Sequence, residues 1–282
     1  MNIVVCVKQV PNTKEVRINP ETKNIVREGV PSILNPYDVN ALEAALQLKE
    51  KTGAKVIALS MGPNQAAEAL QEALDMGADR GILLSDRAVA GADTLATGYA
   101  LSAVIKTLDA DLVLCGSEAI DGCTGQVGPI VAENLGFPQF TYVHSLELDG
   151  GCLKVSREMK DTFELYECSL PAVVCVLKGI NSPRKRKPCD KKPEIISAKD
   201  IDVDHDRLGS SGSPTRVAHI SSSGKTMSSF VSVDGSLPTK DRIHILMHGG
   251  FLPKKIDFIR GTGETLAQEI LTDKTLSGQL AK

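Results

Sequence analysis

The chain has 282 residues, 42% of them hydrophobic, and a formal net charge of −3. That length can bury one sizeable core with an appended element, and the mild acidity gives no overall nucleic-acid signature. Aromatic residues make up only 4%, with no tryptophan, which disfavours base-stacking surfaces and aromatic-rich carbohydrate sites.

The seven cysteines are an odd number, and Cys6, Cys115, Cys168 and Cys175 lie inside apolar runs. They read as reduced core thiols of a cytoplasmic protein rather than a disulfide framework. No cysteine pair has zinc or iron–sulfur spacing, and the five histidines form no cluster, so no metal site is expected. No apolar run approaches bilayer-spanning length, so no membrane insertion is expected. Met1 to Val10 has a strand pattern running into Pro11, not the pattern of a signal peptide.

In chain order, Asn2 to Val10 is a β-branched run suited to a buried parallel strand, with Lys8 near its C-terminal end. A charged excursion from Thr13 to Gly29 can form a hairpin. Asp38 is placed to cap a helix through Leu42, Ala45, Leu46 and Leu48 that Gly53 ends. Lys55 to Ser60 predicts a second strand, Gln65 to Met76 a helix, and Gly81 to Ser85 a third strand. Asp93-Thr94 caps a helix from Leu95 to Leu108, and Asp111 to Cys115 is the fourth strand. This beat predicts an open, mostly parallel α/β sheet with helices on both faces. Right-handed crossovers bring Ser60, Ser85 and the Gly116 loop to one edge.

The stretch that carries chemistry follows that fourth strand and reads C-G-S-E-A-I-D-G-C-T-G-Q-V-G-P, Cys115 to Pro129. Gly116, Gly122 and Gly125 let the backbone turn sharply or approach a ligand. Asp121 to Gly125 can aim backbone N–H groups and the Thr124 hydroxyl at one point before a helix N-terminus, which is how a phosphate is held. A glycine-rich turn without a ligand fits the same residues. Asp93, Thr94 and Thr97 form a second polar helix start, where the dipole favours an anion or a flavin or nucleotide oxygen, or serves plain capping. No nucleophile–base–orienter arrangement is readable, so no catalytic residue is assigned. A nucleotide-binding electron carrier, a nucleotide-sensing regulatory domain and a ligase lacking part of its site all remain open at this point.

After Gly136, Phe140 to Leu148, Leu153 to Arg157 and Asp161 to Cys168 predict a small antiparallel meander. Leu170 to Val176 is the expected last core strand. The expected division is a 1–178 core, a 179–220 basic partner-docking loop and linker, and a 221–282 C-terminal arm that wraps a partner subunit. A helix is expected from Gly261 to Leu280 within that arm.

Several segments resemble the β subunit of electron-transfer flavoproteins. They are V-C-V-K-Q-V-P (Val5 to Pro11), N-P-Y-D (Asn35 to Asp38), S-D-R-A-V-A-G-A-D-T-L-A-T (Ser85 to Thr97) and the Cys115 to Pro129 loop. L-P-A-V-V-C-V, N-S-P-R at Asn181 to Arg184 and G-S-P-T at Gly212 to Thr215 extend the likeness over about the first 215 residues. The resemblance implies an adenine-nucleotide-hydrolase or flavodoxin-like core paired with an α subunit that carries FAD in a mobile domain. It implies FAD in this chain too, taking hydride from NADH and bifurcating electrons to ferredoxin and to a partner flavin dehydrogenase. Alternatives are a non-bifurcating subunit that binds AMP, and a non-redox nucleotide-binding module.

By the same likeness, Asp121, Gly122, Thr124, Gly125, Gln126 and Val127 would hold the phosphate and ribose, with Cys115 at the loop's start. Val7, Lys8 and Ser60 would line the adenine or ribose side, and Asp93, Thr94 and Thr97 would lie toward the flavin ring. Two stretches depart from the family. K-R-K-P-C-D-K-K-P after Arg184 is shorter and more basic than the usual docking loop. It suits an acidic face on an FAD-dependent dehydrogenase of lactate, glycolate or acyl-CoA type. Residues 221–282 match the usual arm poorly.

Overall fold

The computed structural model describes residues 1–12, 32–216 and 236–247. The chain divides into two compact units, Met1–Ile220 and Ser221–Lys282. The expected hairpin within 13–29 and the expected helix within 261–280 lie outside the described residues. Among the described residues, no helix is long and apolar enough to cross a membrane.

The first unit follows the strand–helix beat of the sequence. Strand β1 (Asn2–Cys6) leads through a short strand β2 (Gln9–Pro11) and β3 (Ser32–Leu34) to helix α1 (Pro36–Thr52). Then come β4 (Lys55–Met61), α2 (Ala67–Met76), β5 (Arg80–Leu84), α3 (Thr94–Lys106), β6 (Leu112–Gly116) and α4 (Val127–Leu135). The antiparallel strands β7 (Gln139–Asp149), β8 (Cys152–Glu158) and β9 (Phe163–Ser169) precede β10 (Ala172–Val176) and β11 (Glu194–Ile196). In the second unit, α5 (Thr239–Met247) is a helix that the sequence pattern did not announce.

One sheet joins β11-β5-β4-β1-β6-β10-β7-β8-β9 in that order, and β2 with β3 forms a separate two-stranded ribbon. Every pairing from β11 to β7 is parallel, while β7–β8 and β8–β9 are antiparallel. Side chains of β1 alternate between two cores, because successive residues of a strand point to opposite faces. Ile3 and Val5 pack in one core with Leu42, Leu46, Leu70 and Leu74 of α1 and α2. Val4 and Cys6 pack in the other with Leu101, Val104, Val131 and Ala132 of α3 and α4. The α/β sheet with helices on both faces is the predicted fold, and the meander is the predicted antiparallel excursion. Gly150 and Gly151 take φ of +56° and +86°, the two positive values that a tight primed turn between β7 and β8 requires.

Three local expectations change. The run from Asn2 to Val10 is not one strand. Its backbone leaves the sheet at Val7-Lys8, where Lys8 donates its N–H to Asp38 Oδ2 (2.8 Å) and its carbonyl accepts from the N–H of Asn35 (2.9 Å). Asp38 is not a cap. With Pro36 in the first turn, the cap position falls to Asn35, and Asp38 sits buried inside the helix start. The stretch after Lys178 also contributes to the core, since β11 extends the sheet beside β5. Three residues carry too little pattern to announce a strand. An Arg80–Glu194 pair at 2.8 Å and the Ser85 N–H on the Ile196 carbonyl hold it there.

Candidate functional site

Strand β1 lies between β4 and β6, and the chain winds outward from it in opposite directions, through α1 and α2 on one face and α3 on the other. In open α/β sheets, the crevice for ligands opens at the carboxyl ends of the strands at such a switch point. Val7-Lys8, Ser60-Met61 and Gly116-Ser117 are the strand ends that meet there.

The loop from Gly116 to Gln126 is braced from beneath. Asn35 is fully buried; its side chain donates to the Glu118 carbonyl (2.9 Å) and accepts from the Ile120 N–H (3.2 Å). Lys8 Nζ donates to Asp121 Oδ1 at 2.7 Å, and the Asp121 side chain is only 3% exposed. Asp38, 6% exposed, accepts the Lys8 N–H at 2.8 Å and the Gly116 N–H at 3.2 Å. Burial pushes its carboxyl up to about 7, against the pull of bonds from Asn35, Lys8 and Gly116. A Cβ at Gly116 would collide with Asp38 and Tyr37, so only glycine lets the carboxylate reach that amide. Burial and the nearby Glu118 also raise the Tyr37 phenol.

The loop's tip faces outward. Gly122, Thr124, Gly125 and Gln126 are exposed, and Cys123 and Gly125 take left-handed φ of +50° and +62°. A Cβ at Gly125 would press on the Ser117 carbonyl at 3.3 Å, whereas one at Gly122 would meet open space. Gln126 precedes α4 without a side-chain cap bond, which leaves the helix's first N–H groups to other partners. The Gln126 side chain instead accepts from the Thr94 hydroxyl at 2.8 Å and links the starts of α3 and α4. Below the tip, Cys6, Cys115 and Cys175 sit side by side on β1, β6 and β10, and Gly128 packs directly on Cys175. The Cys115 thiol is raised well above its usual range by bonds from Cys175 and Cys6 and by burial, so it stays neutral.

The ends of β1, β4 and β6 and the loop after β6 put Val7, Lys8, Ser60, Cys115, Asp121, Gly122, Thr124, Gly125, Gln126 and Val127 along one edge of the sheet. Ser60 fits a bound group well: its hydroxyl is buried and finds no partner among the described residues. Asp93 belongs to a different contact. Its carboxylate accepts from the N–H groups of Leu95 and Ala96 and from the backbone and hydroxyl of Thr215. Burial lifts that carboxyl, but these bonds outweigh it and hold it below its ordinary pKa. Thr97 lies on the same first turn, its N–H on the Asp93 carbonyl. Asn35 and Asp38 brace the loop without having been expected to, and Gly116, expected as a turn, proves to be a partner of Asp38. The signal was there: Pro36 fixes the helix start and leaves Asp38 one turn inside it.

A family model described as "Electron transfer flavoprotein domain" matches residues 22–202. The electron transfer flavoprotein subunit beta of Clostridium acetobutylicum is 52% identical over 223 residues, 77% of this chain and 86% of that protein. The Caffeyl-CoA reductase-Etf complex subunit CarD of Acetobacterium woodii is 47% identical over 225 residues, again 77% and 86%. Protein FixA of Azorhizobium caulinodans is 42% identical over 235 residues, 78% of this chain and 84% of that protein. Likeness of this extent, with the family model spanning the loop from Gly116 to Gln126, shows that the chain belongs to the electron-transfer flavoprotein family as a beta subunit.

Proposed function

We propose that this chain holds FAD in the crevice at the end of β1, in a heterodimer with a flavoprotein α subunit. The complex would take hydride from NADH and send one electron to ferredoxin and one to a partner flavin dehydrogenase. The observation that carries this reading is the braced loop Gly116 to Gln126, fixed from below by Asn35, Asp38 and the Lys8–Asp121 pair. Its glycine tip stays open beside the uncapped start of α4. Bound FAD would supply hydride acceptance and single-electron release, chemistry that no side chain provides. The chain's part is to bind and to orient. Thr124 and the first amides of α4 would take the phosphates, the Ser60 hydroxyl would meet the adenosine end, and the neutral Cys115 thiol would lie beneath them. Thr94 and Thr97 would face the ring side.

The 184–192 stretch is proposed as the surface that meets an acidic dehydrogenase, of lactate, glycolate or acyl-CoA type, and residues 221–282 as an arm around the α subunit. A cytoplasmic location suits seven cysteines that are all unpaired. Purification of the natural complex followed by cofactor release tests the central reading. Two FAD per heterodimer is the expected result. One FAD with one AMP would leave a simple single-electron carrier, and nucleotide without any flavoprotein partner would leave a regulatory module.

A further inference from the structure

We propose that Asp38 is a positioning residue for the cofactor loop: its ionised carboxylate fastens the ends of β1 and β6 together, and the loop loosens its hold on the cofactor when that carboxylate is neutral. The inference deepens the proposed function and rests on a phosphorylated cofactor occupying the crevice.

The geometry is specific. Lys8 and Gly116 end two neighbouring parallel strands, and each gives its N–H to a different oxygen of one carboxylate. The Asn35 side chain also favours the charged form of that carboxylate. Asp38 is buried, so water cannot replace a lost bond cheaply. Both of its oxygens are met by donors. A proton on either one would set O–H against N–H, and the longer bond, to Gly116 at 3.2 Å, is the one to open. Gly116 begins the loop, and the same amide carries the chain toward Ser117, whose carbonyl lies against Gly125.

Charged and titratable neighbours are few. From the end of β1 comes Lys8, its ammonium turned to Asp121; from α1 comes Tyr37; from the loop come Glu118 and Asp121. Cys115, beside Gly116, stays a neutral thiol. Burial sets the Asp38 carboxyl at about 7, so its charge changes near neutrality rather than in acid. The sign follows: the tie is complete above that value and fails as pH falls through it.

The test uses the intact heterodimer with its natural cofactors. Release of adenine cofactor into filtrate is followed by absorbance and chromatography from about pH 5.5 to 8.5, in wild type, Asp38→Asn and Gly116→Ala. Hydrogen exchange of the segment holding Gly116 is measured alongside, corrected for its intrinsic pH dependence. Wild type should release the cofactor of this subunit about tenfold faster at the acid end, the factor that one lost hydrogen bond is worth. Asp38→Asn cannot satisfy both N–H groups and should release fast at every pH, as should Gly116→Ala. A flat wild-type profile, or an Asp38→Asn profile that still bends like wild type, overturns the inference. If Asp38→Asn fails to fold, the wild-type profile and segment exchange decide by themselves. Finding no adenine cofactor on this subunit would instead remove the proposed function, and segment exchange would still report on the Asp38 tie.

Discussion

Gly128 shows how little space a single residue leaves beneath the cofactor loop. It lies in the first turn of α4, directly over Cys175 and Cys115, and an added Cβ would collide with the Cys175 sulfur. Gly128→Ala should therefore destabilise the protein by about 1–3 kcal/mol, the usual cost of overpacking, read as a lower urea midpoint. Cys175→Ala in the same chain should restore part of that loss, because it removes the colliding atom. Simple addition of the two single effects would show that the contact does not limit packing there. Neither glycine nor cysteine advertises this in the sequence. Both read as ordinary members of a loop and a strand, since the register that stacks Cys115 beside Cys175 joins residues sixty positions apart. Asp38 was legible only in part, because an acid near a helix start looks like a cap until its partners, Lys8 and Gly116, are known.

At the scale of elements, the strand–helix beat through β6 was readable, and so was the meander. The strap from Lys178 to β11 was not. Its shape comes from side chains reaching α1 and α2. Arg184 holds Glu43 at 2.8 Å and Glu50 at 2.7 Å, Arg186 holds Glu72 at 2.8 Å, and the Cys189 N–H rests on Asp75. A run of basic residues on its own looks like a solvated loop; here the arginines are spoken for. Glu43 is nearly buried, with its side chain 5% exposed. Burial pushes its carboxyl up, but bonds from the Arg184 side chain and backbone outweigh this and hold it below its ordinary value. Its stabilising share is thus complete above about pH 4.3 and is lost as pH falls through the lower folded value. Arg184→Met should cost about 2–4 kcal/mol near neutrality by leaving a buried charge unpaired. It should also flatten the acid limb of the stability profile. An unchanged profile across that limb would place Glu43 in water rather than under the strap.

For the whole molecule, the ionic bookkeeping separates two kinds of basic residue on that strap. Arg184 and Arg186 are engaged with α1 and α2, while Lys185 and Lys187 are exposed. Partner recognition is expected from the exposed pair. Replacing Lys185 and Lys187 together by alanine should lower turnover with the natural dehydrogenase and reduce its sensitivity to salt, whereas removing 221–282 should lower capture of the α subunit. Turnover at the wild-type level after the first change would reject the docking assignment, and full α capture after the second would reject the arm.

The sequence by itself determined the α/β alternation, the antiparallel meander and the loop that bears the glycines, because each of these follows from local periodicity and turn chemistry. Its quoted segments also resembled the family to which the comparisons assign the chain. Only the tertiary structure decided which polar groups meet: Asp38 between two strand ends, Lys8 on Asp121, Asn35 under the loop, and Asp93 on Thr215. The reason is distance along the chain. Each of these contacts spans from about thirty to more than a hundred residues, and parallel pairing through crossovers sets them in a way that no local pattern records.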